Sequence, residues 1–437
     1  MDIYNLVSFA GIFILIGFAW VLSADKRNMN WRVIGWGIGL QILIALFIFV
    51  VPAGAKLFLV VNEVVVKVLD SASAGAKFVF GPLAIPPGQT SETGQESLGF
   101  ILAFQAFPTI IFFSALIAIL YYFGIMPLVI RAFAYVFTKL MRISGAESLV
   151  AASNIFVGIE STLTVKPHLA KMTRSELCTI LTAGMATVAS NVLALYVFSL
   201  KAVFPTIAGH LVSASLLSAP AALAMSKIIL PEGDKPETLG VHVRPFYESQ
   251  RSLFEAIING ANAGVKMIVG IVALLIAILG LVALVDLLLS PLGTSLKMIC
   301  GYIFYPFTII LGVPPSDAAT VSRIIGERVI VTEVVAYNDL AAALKGNCLQ
   351  HPRSAVITTY ALCGFAHVAS MAIFVGGVCA LAPDRTRNIG AVAPRALLAA
   401  TLACLLTACV AGTFFRVPSG HILPLGSPTK GSILLGQ

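Results

Sequence analysis

Runs of apolar residues long enough to cross a bilayer recur eight times in this chain, at about 5–23, 33–60, 98–125, 175–200, 205–229, 263–289, 354–381 and 392–415. About 30 Å of hydrocarbon takes roughly 20 helical residues. These runs are continuous rather than alternating, so they predict helices and not the strands of a barrel. Composition agrees: of 437 residues, 58% are hydrophobic and 11% charged, against about 25% charged in an ordinary soluble domain. The expected fold class is all-α, a polytopic membrane protein. The first run, "LVSFAGIFILIGFAWVLS", has nothing basic before it and "SADKR" after it, so it reads as a retained span rather than an export signal. Seven cysteines, scattered and without a CxxC pair, suggest packing rather than a disulfide framework.

Charge bounds the function. The net charge of +8 lies in no basic cluster, which argues against a nucleic-acid partner. Lys and Arg fall between spans: Lys26, Arg27 and Arg32; Arg131, Lys139 and Arg142; Lys166, Lys171 and Arg174; Lys227, Lys235, Arg244 and Arg251; Arg385, Arg387 and Arg395. Under the positive-inside rule these loops are cytoplasmic and both termini face away. The stretch 61–97 then becomes an outside excursion.

Two further apolar stretches, 146–170 and 315–345, are interrupted by polar residues, "VGIES" with Glu160 and "IVTEV" with Glu333. Each is followed by a span broken near its middle, at "GMATVASN" (184–191) and at "CGFAHVAS" (363–370), and then by a further span. This predicts about eight transmembrane helices plus two re-entrant helical hairpins in an inverted repeat, the architecture of secondary transporters with a midplane site. A carboxylate facing lipid at mid-depth costs about 2.5–3.5 kcal/mol on insertion scales. Glu160 and Glu333 are therefore expected to face the interior, at equivalent tips, accepting hydrogen bonds from a hydroxylated or amino-bearing solute. No HExxH, nucleophile elbow or Walker loop is present, so a carrier is favoured over an enzyme, with an intramembrane hydrolase a weaker alternative. "GYIFYPF" and "GVPPSDAAT" read as turn-rich connectors.

"NIFVG" followed by Glu, "HLVSASLLSAPAALAMSKIILPE" (210–232), "VTEVVAY" (331–337) and "YALCGFAHVAS" (360–370) together resemble the concentrative nucleoside transporters, over roughly residues 98–415. The resemblance implies a homotrimer in the plasma (inner) membrane, each subunit with a scaffold around a mobile transport domain, coupling nucleoside uptake to sodium or to protons. The corresponding division is 1–125 scaffold, 126–229 first repeat, 230–314 connecting loop and scaffold span, 315–415 second repeat and 416–437 tail. The resemblance also implies a sodium site of Asn154, Val157, Thr187 and Val188, neutral oxygens that suit a hard cation. Around the solute it implies Glu333, Phe365 and Ser370 at the ribose and Val192 at the base, with Gly158, Ile159, Glu160 and His367 completing the set. Two positions depart from the family pattern. The first hairpin is one residue short, with Ile159 where an amide or hydroxyl is usual, and His367 stands where the family has Asn. A related polar solute, a C-nucleoside or a nucleobase, is the alternative cargo.

Overall fold

The structure is a computed structural model that describes residues 2–86, 90, 94, 96–247 and 250–416. The tail expected over 416–437 therefore lies, except for Arg416, outside the described residues. Apart from two isolated bridges, every regular element described is helical.

Helix α1 (Ile3–Val21) turns into α2 (Trp31–Phe49), whose start is capped by the Asn30 side chain accepting from the Val33 amide. The run expected to continue to residue 60 stops at Phe49. Pro52, which lacks an N–H and cannot extend the preceding turn, opens a separate helix, α3 (Pro52–Phe80). Residues 61–80, expected to be loop, belong to it. Its Lys67–Glu63 pair (2.7 Å) lies on an exposed charged face opposite buried Phe58, Leu69, Ala72 and Ala76, the pattern of a helix lying along an interface.

A short α4 (Leu102–Gln105) and α5 (Phe107–Tyr122) fill the third expected span. The next helix, α6 (Ile125–Met141), was not anticipated. It starts after left-handed Gly124 (φ +73°) and buries Met126, Ile130, Ala134 and Phe137 along one side.

The first hairpin follows as α7 (Gly145–Asn154) and a long 3₁₀ segment, Ile159–Lys171, packed against it. Local hydroxyls explain the tighter winding: Thr162 donates to the Ile159 carbonyl (2.7 Å) and Thr164 to that of Ser161 (2.6 Å), i−3 contacts that favour 3₁₀ geometry. The broken span divides into α8 (Arg174–Ala186) and α9 (Ser190–Leu200), and α10 (Ile207–Ile229) closes the unit.

Helix α11 runs from Leu253 to Leu289, well beyond the expected 263–289, and is largely exposed. "GYIFYPF" is helical rather than a connector, forming the centre of α12 (Leu296–Ile310). The second hairpin is α13 (Pro315–Ile330) and α14 (Glu333–Lys345), and the second broken span is α15 (Pro352–Leu362) and α16 (Val368–Leu381), before α17 (Thr386–Phe414). Among the described residues, seven helical stretches are long and apolar enough to cross a membrane. The eighth expected span is the α15–α16 pair, whose halves are too short singly.

The core is α8, α10 and α17 packed on one another. On α10, the small residues Ser213, Ala214, Ser218, Ala221, Ala222 and Ala224 are buried and allow close helix approach without any hydrophobic drive between lipid-embedded helices. Two buried cations fix the frame. Lys227 Nζ, at the end of α10, meets Glu147 Oε1 at 2.5 Å, Glu232 Oε2 at 3.1 Å and Ser175 Oγ at 2.9 Å, gathering the starts of α7 and α8. Arg353, at the start of α15, donates to Gly312 O, Asn5 Oδ1, Ser8 Oγ and Gly412 O at 2.6–2.8 Å, gathering α1 and α17. Removing one partner from such buried polar clusters is far more damaging than breaking a surface pair.

Candidate functional site

The two broken spans meet. α8 stops at Ala186, and Thr187 and Ala189 are extended. α15 stops at Leu362, and residues 363–367 are non-helical. Gly364 sits so close to the first break that a Cβ there would lie 2.7 Å from the Ala186 carbonyl oxygen, and its φ of +146° also favours glycine. The Cys404 thiol of α17 bridges them, donating to Cys363 O (3.3 Å) and to Ala186 O (3.8 Å).

The tip of the first hairpin lies on the first break. Ser190 N–H donates to Phe156 O at 3.0 Å, and a Cβ on Gly158 would touch that of Ala189 at 3.4 Å. Asn154, Val157, Thr187 and Val188 are all buried here. The Asn154 amide donates to Val150 O (3.1 Å), while its Oδ1 is buried with no donor. Thr187 Oγ1 donates to Ala183 O (2.8 Å) and keeps its lone pairs. A buried orphaned acceptor, a hydroxyl with its lone pairs and the carbonyls of two interrupted helices are the kinds of ligand that suit a small hard cation.

Between the tips lies a cavity lined by Gly158, Ile159, Ala189, Val192, Thr332, Glu333, Phe365, His367 and Ser370, and bordered by Met267, Ile271, Leu274 and Leu275 of α11. Seven of the eight residues expected around the solute line it. The exception is Glu160, which lines a neighbouring cavity with Tyr121, Asn191 and Tyr247. The expected equivalence of the two glutamates does not hold in this structure. Ile159 instead seats against α16, its Cδ1 within 2.1 Å of the place a Cβ on Gly377 would occupy, and Glu160, the next residue, lines the other cavity.

Glu333 is held in the first turn of α14, after Thr332, whose side chain caps the helix. A carboxylate there also sits at the positive end of the helix dipole. Its Oε1 accepts from the Tyr196 hydroxyl at 2.7 Å, and Tyr196 stacks on Tyr337 at 4.5 Å. Its Oε2 lies 2.7 Å from His367 Nε2 but lacks an aligned hydrogen bond. His367 is fixed from behind: its Nδ1 accepts from the Ser370 amide at 3.2 Å, capping α16, which puts the ring proton on Nε2, facing Glu333. Ser370 Oγ lies within hydrogen-bond reach of the Phe365 carbonyl and, at 2.8 Å, of that of His367, its single proton serving one of them. The result is a preorganised acceptor at one end of a mostly apolar cavity.

Sequence reasoning missed Tyr196, Tyr337 and Thr332. Tyr337 lies one turn after Glu333 in "VTEVVAY", a spacing that could have found it. Nothing in the sequence around Tyr196 signals a partner at residue 333.

Comparison with known proteins bears on the fold and the family. Models of the "Na+ dependent nucleoside transporter" N-terminus and C-terminus match residues 10–83 and 210–412, and a "Nucleoside recognition" gate model matches 103–203. The chain is 38% identical over 435 residues to mouse (Mus musculus) solute carrier family 28 member 3, covering 95% of this chain and 59% of that protein. It is 35% identical over 437 residues to rat (Rattus norvegicus) sodium/nucleoside cotransporter 1, covering 95% and 64%. It thus spans about three-fifths of the length of these relatives. The solved structure of CNTnw in an inward-facing substrate-bound state superposes with a TM-score of 0.84 at 31% identity, covering 94% of this chain and 98% of that one. A variant of CNTnw in an outward-facing state gives 0.84 at 30% identity, covering 94% and 98%. The chain is a helical, multi-pass membrane protein that belongs to the sodium-dependent, or concentrative, nucleoside transporter family.

Proposed function

We propose that this chain is a secondary active symporter that takes up nucleosides across the plasma membrane, driven by sodium and working by alternating access about the cavity between the hairpin tips. The observation that carries this reading is the Glu333 carboxylate. Tyr196 fixes one oxygen, and the other, 2.7 Å from His367 Nε2, has no aligned hydrogen bond. Vicinal ribose hydroxyls are donors of the right kind, and a hydrogen bond to an ionised acceptor is about twice as strong as a neutral one.

In this reading Glu333, His367, Phe365 and Ser370 take the ribose, while Val192, Ile159 and Gly158 flank the base. Glu160 reaches the solute only when the first tip moves. Sodium is co-transported, held by Asn154, Val157, Thr187 and Val188. Residues 157–158 and 187–189 supply both this set and part of the cavity wall, so ion and solute order the same backbone.

The scaffold comprises residues 1–125 and 230–314, and the two repeats form the moving part. The chains assemble as a homotrimer. The long apolar α11, exposed along Val269, Ile276, Leu281 and Leu287, offers a surface to lipid and to neighbouring subunits.

A thermal-shift screen of purified protein against nucleosides, free bases and free sugars, with sodium or choline, tests the reading. Stabilisation by nucleosides, larger in sodium, is expected. Stabilisation by free bases equal to that by nucleosides would remove the role given to Glu333.

A further inference from the structure

The unit of hairpin followed by broken helix occurs twice, and in each copy two helix C-termini converge on one buried spot. In the first copy these are the ends of α7 and α8. In the second they are the ends of α13 and α15, joined by Arg328 of the last turn of α13, whose Nη1 donates to Ala361 O in the last turn of α15 at 2.8 Å. Last-turn carbonyls have no intrahelical partner and carry the negative end of the helix dipole. Two such ends together make a place for positive charge.

What is left unpaired differs in sign between the copies. In the first it is an acceptor, Asn154 Oδ1; in the second it is a pair of donors, Arg328 Nε and Nη2. Arg328 is 0% exposed, and no ion pair among the described residues includes it. The carboxylate of the adjacent Glu327 is engaged on the other face of the hairpin by Lys297 of α12, at 2.6 Å. The guanidinium is therefore met by the Ala361 carbonyl and the Cys404 sulfur rather than by a carboxylate, and as a side chain it cannot leave.

We infer that Arg328 is a tethered cation, filling in the second copy the place that the first leaves to an exchangeable ion. Each chain then carries one exchangeable cation, and the tip bearing Glu333 is held together whether or not sodium is bound. The inference rests on the sodium reading of the first copy. Arg328 acts as a positioning residue, since it touches no part of the cavity.

The test uses the full chain, purified, with Arg328→Lys and Arg328→Met, melted in choline, sodium and lithium chloride. Arg328→Lys keeps the charge and is expected to melt within about 3 °C of the parent, with the same sodium response. Arg328→Met keeps the bulk, and in choline it is expected to melt about 5 °C or more lower. Sodium or lithium should recover at least about half of that deficit beyond the parent's own response, as a free ion enters the vacated place. An unchanged melting point in Arg328→Met, or a deficit that neither ion narrows, would assign Arg328 to packing and overturn the inference. A second arm needs no variant: radioactive sodium and nucleoside fluxes into vesicles bearing the parent protein should stand at one sodium per nucleoside, and two would overturn it. Should the parent ignore sodium in both melting and uptake, the coupling reading falls, and the contrast between Arg328→Met and Arg328→Lys in lithium still decides the role of Arg328.

Discussion

The tips of the two hairpins are built alike and furnished differently. Each sits between a helix end and a broken span, and each places a glutamate at or just beyond the bend. At the second tip Glu333 is locked by Tyr196, His367 and the start of α14, and it faces the central cavity. At the first tip Ile159 takes the position against α16, and Glu160 turns into a neighbouring space. The first tip presents an orphaned amide oxygen; the second presents a charge already satisfied on one side. A repeated scaffold can thus divide labour by a few side chains, one tip suited to an ion and the other to a sugar.

The largest expected effect removes the charge from the second tip. Glu333→Gln keeps the shape but replaces one acceptor oxygen with a donor amide, which should cut nucleoside uptake about 100-fold, the loss of one or two charge-assisted bonds. The oligomeric state should be unchanged, as judged by gel filtration in detergent. Near-normal uptake would erase the division between the tips. At the first tip, Thr187→Val removes one oxygen and keeps the volume. The sodium concentration for half-maximal uptake should rise about tenfold, the value of one modest ligand, with little change in maximal rate. A change in rate with an unchanged sodium requirement would move the ion elsewhere.

How far these roles were legible beforehand follows from the physics of each segment. Long uniform apolar runs gave the spans, and polar interruptions at matched places gave the hairpins and breaks. Helices α3, α6 and α12 were overlooked because amphipathic or Pro-bearing segments look like loops when only uninterrupted hydrophobicity is scored. In α12, Pro306 is accommodated within the helix, and Gly301 lets α13 approach until a Cβ there would sit 2.8 Å from Arg323 Cγ. The family resemblance of the motifs in their order grouped Gly158, Ile159, Val192, Glu333, Phe365, His367 and Ser370, and one cavity is lined by all seven. It put Glu160 in the same cavity, whereas the structure places it in the neighbouring one, since in an irregular bend no periodicity records which of two successive side chains points inward. It overlooked Arg328, a lone cation at the end of an apolar half-helix, which insertion cost alone should have flagged.

Smaller effects refine the contrast. His367→Asn keeps a good N-cap for α16 and an amide donor toward Glu333, so uptake should fall only about threefold. His367→Ala loses both and should fall about tenfold or more. Equal results for the two would reduce His367 to packing. Ile159→Gln should matter least. With an apolar side chain at this position the parent should favour purine or pyrimidine by less than about tenfold, and the variant should shift that ratio by less than about threefold, because the shortened bend still seats the residue against Gly377. A preference above about 100-fold for one base in the parent, about 2.7 kcal/mol, would contradict the assignment of this wall.

The most direct test of the division between the tips is nucleoside binding measured by calorimetry in sodium and in choline, for the parent and for Asn154→Ala. If the first tip holds an ion that orders the wall of the second tip's cavity, sodium should tighten nucleoside binding at least about tenfold in the parent, a coupling of about 1.4 kcal/mol. That gain should vanish in Asn154→Ala while binding in choline stays as in the parent. Equal affinity in sodium and choline, or a sodium effect that survives Asn154→Ala, would contradict it.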